Sequence, residues 1–126
     1  MINNFLIISC TGKNNFLGLK IDNKFFKEKL QNNINSNNLL VSNIISFTDK
    51  YKVKLSKKYS IIVNLGPGSY SSIRISLSVA KGIQIVLGSK LYGYKNNQWS
   101  EFKLEKIKNL IKNKQLKDKM IKPIYQ

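Results

Sequence analysis

The chain has no histidine. That removes the commonest general base near neutral pH and the commonest metal ligand. It also excludes Ser-His-Asp and Cys-His nucleophile systems. Carboxylates are scarce too, with only six in 126 residues: Asp22, Glu28, Asp49, Glu101, Glu105 and Asp118. None lies between Asp49 and Glu101, so the stretch richest in motifs has no carboxylate base and no hard-metal ligand. A lone cysteine, Cys10, cannot form an internal disulfide and leads us to expect a reducing compartment. No apolar run approaches the ~20 residues of a membrane span. Met1-Ile2-Asn3-Asn4 has neither the basic start nor the small-residue cleavage site of a signal peptide. The expectation is a soluble cytoplasmic domain without membrane contact.

Arginine is nearly missing as well. Of 22 basic residues only Arg74 is not lysine, and the formal net charge is +16. A surface of that sign attracts polyanions such as tRNA. Lysine, however, is a diffuse point charge, whereas arginine reads phosphates and guanine edges through its planar fork. Lys, Asn and Ile share AT-rich codons, and Ala80 is the sole alanine, so base-composition drift accounts for much of the basicity. A solvated lysine coat and a nucleic-acid surface both remain open. Hydrophobic residues at 42% suffice for a packed core. The length fits one domain, 1–126, burying roughly two-thirds of its unfolded surface.

The pattern along the chain predicts an α/β fold. Phe5–Cys10, Phe16–Ile21 and Lys24–Leu30 read as three antiparallel strands, joined by turns at Thr11–Asn15 and Asp22-Asn23. An Asn-rich loop, Gln31–Asn38, supplies an N-cap for a helix with Leu40, Ile44, Phe47 and Tyr51 on one stripe. Tyr59–Leu65 is a buried-type strand, and Gly66-Pro67-Gly68 stops it. A second helix runs from Ser69 to about Leu87, ended by Gly88-Ser89, and Lys90–Tyr94 is a fifth strand. Glu101 to about Lys114 is a last helix carrying Leu104, Ile107, Leu110 and Ile111, followed by the tail Ile121–Gln126. The order is βββαβαβα around a mixed sheet.

Two glycine motifs invite phosphate readings. Thr11-Gly12-Lys13 lacks the glycine five positions earlier that a phosphate loop needs, since Ile7 stands there; a hairpin turn is expected. Gly66-Pro67-Gly68 sits between strand and helix, but Ser71 occupies the third glycine position of a dinucleotide fingerprint. No acid follows to grip a ribose. A tight turn with Ser69 capping the next helix is the expected use.

That helix is apolar over a wide arc. Ile73, Ile75, Leu77, Val79, Ala80, Ile83, Val86 and Leu87 spread over roughly 200°, where packing on one sheet needs a stripe of ~100° or somewhat more. Either the first helix covers the surplus within the monomer, or another protein does.

Gly66-Pro67-Gly68-Ser69-Tyr70-Ser71-Ser72-Ile73-Arg74-Ile75-Ser76-Leu77-Ser78-Val79-Ala80-Lys81-Gly82 resembles the glycine-turn and helix signature of the TsaB (YeaZ) family of bacterial tRNA-modification proteins. The motif turn of that signature is Gly66, Pro67, Gly68 and Ser69, with Arg74 on the helix it opens. Pro123-Ile124-Tyr125-Gln126 resembles the family's chain ending.

The resemblance implies one half of an actin-like/Hsp70-like ATPase (ribonuclease H-like) fold, because family members are substantially longer. It further implies a non-catalytic scaffold. Such a subunit supports the related catalytic subunit TsaD, working with the ATPase TsaE, and tRNA is met indirectly. Their joint product is threonylcarbamoyladenosine beside the anticodon. No cofactor is expected on this chain, ATP and metal residing on the partner subunits. The family's paired-helix interface would fall on about Asn38–Lys52 and Ser69–Leu87. It would use Leu40, Ile44, Phe47 and Tyr51 with Ile73, Ser76, Leu77, Ala80, Ile83 and Gln84, to pair with TsaD or with a second copy. Two departures stand out: Ser9-Cys10-Thr11 where the family has an Asp, and Tyr70-Ser71-Ser72 where it has Phe-Thr-Gly. A small basic RNA-binding module and an orphan structural dimer are the alternatives.

Overall fold

The computed structural model describes residues 4–31 and 33–95. The order is β1 (Asn4–Ser9), β2 (Phe16–Ile21), β3 (Lys24–Lys29), α1 (Asn37–Lys50), β4 (Tyr59–Asn64), α2 (Tyr70–Leu87) and β5 (Leu91–Tyr94). The expected last helix and the tail lie outside the described residues, so the first seven elements of the anticipated order are the ones observed.

The five strands form one mixed sheet in the order β3-β2-β1-β4-β5. β1 pairs antiparallel with β2, and β2 with β3; β1 pairs parallel with β4, and β4 with β5. Register sorts the side chains into two faces, because neighbours on a strand point opposite ways. Leu6 stands between Leu19 and Ile61, and Ile8 between Leu17 and Val63, all buried on the helix side. Phe5, Ile7 and Ile62 belong to the other face and are equally buried. There Phe5 meets Phe25 with ring centroids 6.4 Å apart, and Lys27 stands over the Phe16 ring.

Both helices lie on the first face. Leu40, Ile44 and Phe47 from α1 and Leu77, Val79 and Ala80 from α2 join Leu6, Ile8, Leu17, Leu19, Ile61 and Val63 in one core. Each such aliphatic side chain stabilises the fold by about 1.5–3 kcal/mol through burial. The ends of the helices are set locally. Ser36 Oγ accepts from Leu39 N at 3.1 Å to cap α1, and Ser69 Oγ accepts from Ser72 N at 3.5 Å to cap α2. Gly88, in the left-handed region, closes α2 by donating its N–H to the Gln84 carbonyl.

Side-by-side packing of the helices uses part of the expected interface within the chain itself. Leu40, Phe47, Ile73, Ser76, Leu77 and Ala80 are buried inside the chain, and Ile44 shows only 4% of its surface. These positions serve the sheet and the helix–helix contact of the monomer. Tyr51, Ile83 and Gln84 are half-buried. The surplus arc of α2 is thus divided: α1 takes one part and Val86 (82%) stays in solvent, as does Ile85 (80%) outside the arc.

Candidate functional site

Two places combine unusual sequence with unusual geometry: the glycine turns at one end of the sheet, and the seam between the helices.

At the first, the loop after β1 and the turn after β4 interlock. Ser69 N donates to the Thr11 carbonyl at 2.8 Å. Gly68 lies against that same carbonyl, where a Cβ would stand 2.5 Å from the oxygen and 2.6 Å from Thr11 Cβ. Gly12 has φ +103°, and a Cβ on it would meet Ser69 Cβ at 3.0 Å. The Gly66-Pro67 peptide is cis. Each glycine therefore serves the close approach of two loops.

Side-chain amides complete this clasp. Asn15, fully buried, accepts at Oδ1 from Thr11 N (3.1 Å) and Gly12 N (3.0 Å) and donates from Nδ2 to the Gln31 carbonyl (3.1 Å). Asn64 accepts from Gly66 N at 2.9 Å and donates to Ser9 Oγ at 3.1 Å. Tyr94 is buried beside this pair; burial pushes its phenol strongly upward in pKa, with Ser9 and Asn64 pulling the other way. Sequence reasoning missed Asn15, Asn64 and Tyr94. The two amides were hidden in a chain crowded with asparagine, and Tyr94 in an ordinary strand pattern.

Several polar groups of the clasp are already engaged. A phosphate cradle presents free backbone N–H groups, but those of Thr11 and Gly12 are already taken by Asn15. Burial raises the Cys10 thiol to a pKa of about 11, which keeps it protonated and unreactive at neutral pH. The exposed Ser69 and Ser71 hydroxyls bond only to each other, at 3.3 Å, among the contacts seen for them beyond the cap. Arg74 points from α2 into solvent. Among the described residues no group of three Cys, Asp or Glu side chains gathers to hold a metal, and no helix is long and apolar enough to cross a membrane.

The second place is an open groove of about 560 Å³ along the seam of α1 and α2. Val41, Ile44 and Ile45 form one wall, and Val79, Ile83 and Val86 the other. Val41 is 38% exposed and Ile45 54%. Gly82 lies on the groove with no atom within 4 Å of where its Cβ would be, so the cleft is widened by a missing side chain. Asn37 Nδ2 donates to Ser78 Oγ at 3.3 Å, holding the helices together. Of the ten expected interface residues, Ile44 and Ile83 line this groove; Val41, Ile45 and Val86 do so as well, outside that expected set. Their signal was available, since a residue one position from a buried stripe sits on the helix shoulder.

No family model matches the chain, and no curated protein matches it. Solved structures do. YeaZ from Pseudomonas aeruginosa superimposes with a TM-score of 0.67 at 16% identity, covering 74% of this chain and 44% of that one. An uncharacterized protein with similarity to peptidase YeaZ, from the same organism, gives a TM-score of 0.65 at 17% identity, covering 74% and 43%. The chain thus spans less than half the length of either. At such identity the likeness concerns the fold: this is an α/β chain that folds like the part of YeaZ it covers.

Proposed function

We propose that this chain is a shortened scaffold of the TsaB (YeaZ) type, a cytoplasmic, non-catalytic subunit that holds a TsaD-like catalytic partner through the α1–α2 groove. The observation that carries the reading is that groove: an apolar cleft with Ile45 and Val86 left in water, on a chain of the YeaZ fold. Apolar area covered by a partner contributes roughly 25 cal/mol per Å². A contact of this kind needs no titrating group, which suits a chain without histidine and with its cysteine buried. In this role ATP and metal belong to the partner subunits, a TsaE-like ATPase among them, and the tRNA product is threonylcarbamoyladenosine.

The test is reconstitution with TsaD, TsaE, threonylcarbamoyl-adenylate and unmodified tRNA, with and without this chain. Product should require all the proteins. Equal product in both tubes rejects the scaffold, turnover by this chain alone rejects its non-catalytic character, and a stable homodimer indifferent to TsaD favours the structural-dimer reading.

A further inference from the structure

We infer that the second face of the sheet, the one away from both helices, is a docking surface for this chain's own segment 101–114. The inference goes beyond the scaffold reading and does not rest on it. Phe5, Ile7 and Ile62 have no surface in solvent, and Phe16, Lys20 and Tyr94 on the same face are buried too. None of these six belongs to the core that the helices share with Leu6, Ile8, Ile61 and Val63. Their neighbours in the sheet do not hide them. Ile7 stands between Ile62 and Gly18, and Gly18 has no side chain to lay over it. The apolar face of a sheet is buried only against another layer.

That layer comes from the same chain, since the burial is complete in one molecule by itself. Among the described residues both helices are spent on the first face. Outside them stand residues 1–3, 32 and 96–126. The first two pieces are too short to span five strands, so the choice falls on the segment that follows β5.

The sequence of that segment fits the face. Leu104, Ile107, Leu110 and Ile111 fall within an arc of about 120° at 100° per residue, the single apolar stripe of a helix that covers one surface. Glu101, Glu105, Lys108, Asn109 and Lys112 stand outside that arc. A helix over 101–114 would be ~21 Å long, and five strands about 4.8 Å apart are roughly 19 Å across. Gly18 leaves a trough at the middle of the face, where a helix can approach the strands closely. With this face closed from within, the α1–α2 groove is the broad apolar surface left for another protein among the described residues.

Photocrosslinking in the full chain tests the proposal. p-Benzoylphenylalanine replaces Lys27 or Tyr92, at the two edges of the second face, or Val86 on α2 as the control. Mixing isotope-labelled with unlabelled protein separates crosslinks within a chain from those between copies. The expected result is a crosslink into 101–114 of the same chain from at least one of the two edge positions, and none from position 86. Crosslinks that join labelled to unlabelled chains would make the occupant a second copy. No crosslink into 101–114 would leave the face to other residues, and one from position 86 would put the segment on the helices. Each of these overturns the proposal. Stability gives a second readout. Ile107→Lys, on the stripe, should lower the thermal midpoint by at least about 5 °C, whereas Lys112→Gln, off the stripe, should stay within about 2 °C of wild type. A midpoint unchanged by Ile107→Lys also overturns the proposal, and if that variant does not fold the crosslinks decide.

Discussion

The backbone of Gly68 rests on the carbonyl of Thr11, with room for a hydrogen and none for a methyl group. The same oxygen takes the hydrogen bond from Ser69 N that starts α2, so one contact joins the loop after β1 to the longer of the two described helices.

Gly68→Ala should therefore destabilise the fold by about 1–3 kcal/mol, the usual range of overpacking. Urea unfolding would show it as a lower midpoint at unchanged slope. A midpoint equal to that of wild type would mean the two loops separate freely.

Asn15→Ala removes three hydrogen bonds and strands the buried Thr11 N–H. The expected cost is about 2–4 kcal/mol, since an orphaned buried donor loses its full solvation. Hydrogen exchange at Thr11 and Gly12 should accelerate in the variant before global unfolding does.

Gly82 offers the reverse case. Nothing stands near its absent Cβ, so Gly82→Ala should stabilise the helix by about 0.5–1 kcal/mol. Gly82→Leu should fold as well as wild type while filling the groove. Loss of TsaD pairing in the Leu variant with its thermal midpoint kept would be the signature of an occupied groove; retained pairing would move the contact elsewhere.

Stability should be level between pH 6 and 8, where no histidine titrates, and should fall in alkali. Burial raises Cys10 from 9.0 to about 11 in the folded chain. A raised folded-state pKa gives stability that is whole below the unfolded value and is lost as pH climbs through the folded one. The window is pH 9 to 11, and Cys10 accounts for at most about 3 kcal/mol. Tyr94 and Tyr59 move the same way, Tyr59 by desolvation and then by the charge of Asp22. Thermal midpoints of wild type and Cys10→Ala across this window should differ in slope, the variant falling less.

The elements were readable because their signals are local. Phe16–Ile21 is the strand expected, and β1 and α1 shift by a residue or two at their ends, where fraying makes boundaries soft. Ser69 and Gly88 marked the ends of α2 because capping depends on a few neighbouring dihedrals. The interface was harder to place. Leu40 and Leu77 lie on apolar stripes that look the same whether they meet a sheet or a partner.

By itself, then, the sequence determined the periodicities, the caps, the glycine turn and the exclusion of histidine chemistry, because each depends on residue type or on spacing within one element. Only the tertiary structure decided which apolar residues remain outside. Setting α1 beside α2 on one sheet face buries Phe47 and Ala80 and leaves Ile45 and Val86 exposed. It also decided that Gly68 meets Thr11, 57 positions away. Such juxtapositions are set by strand order and helix placement, and no window along the chain contains them.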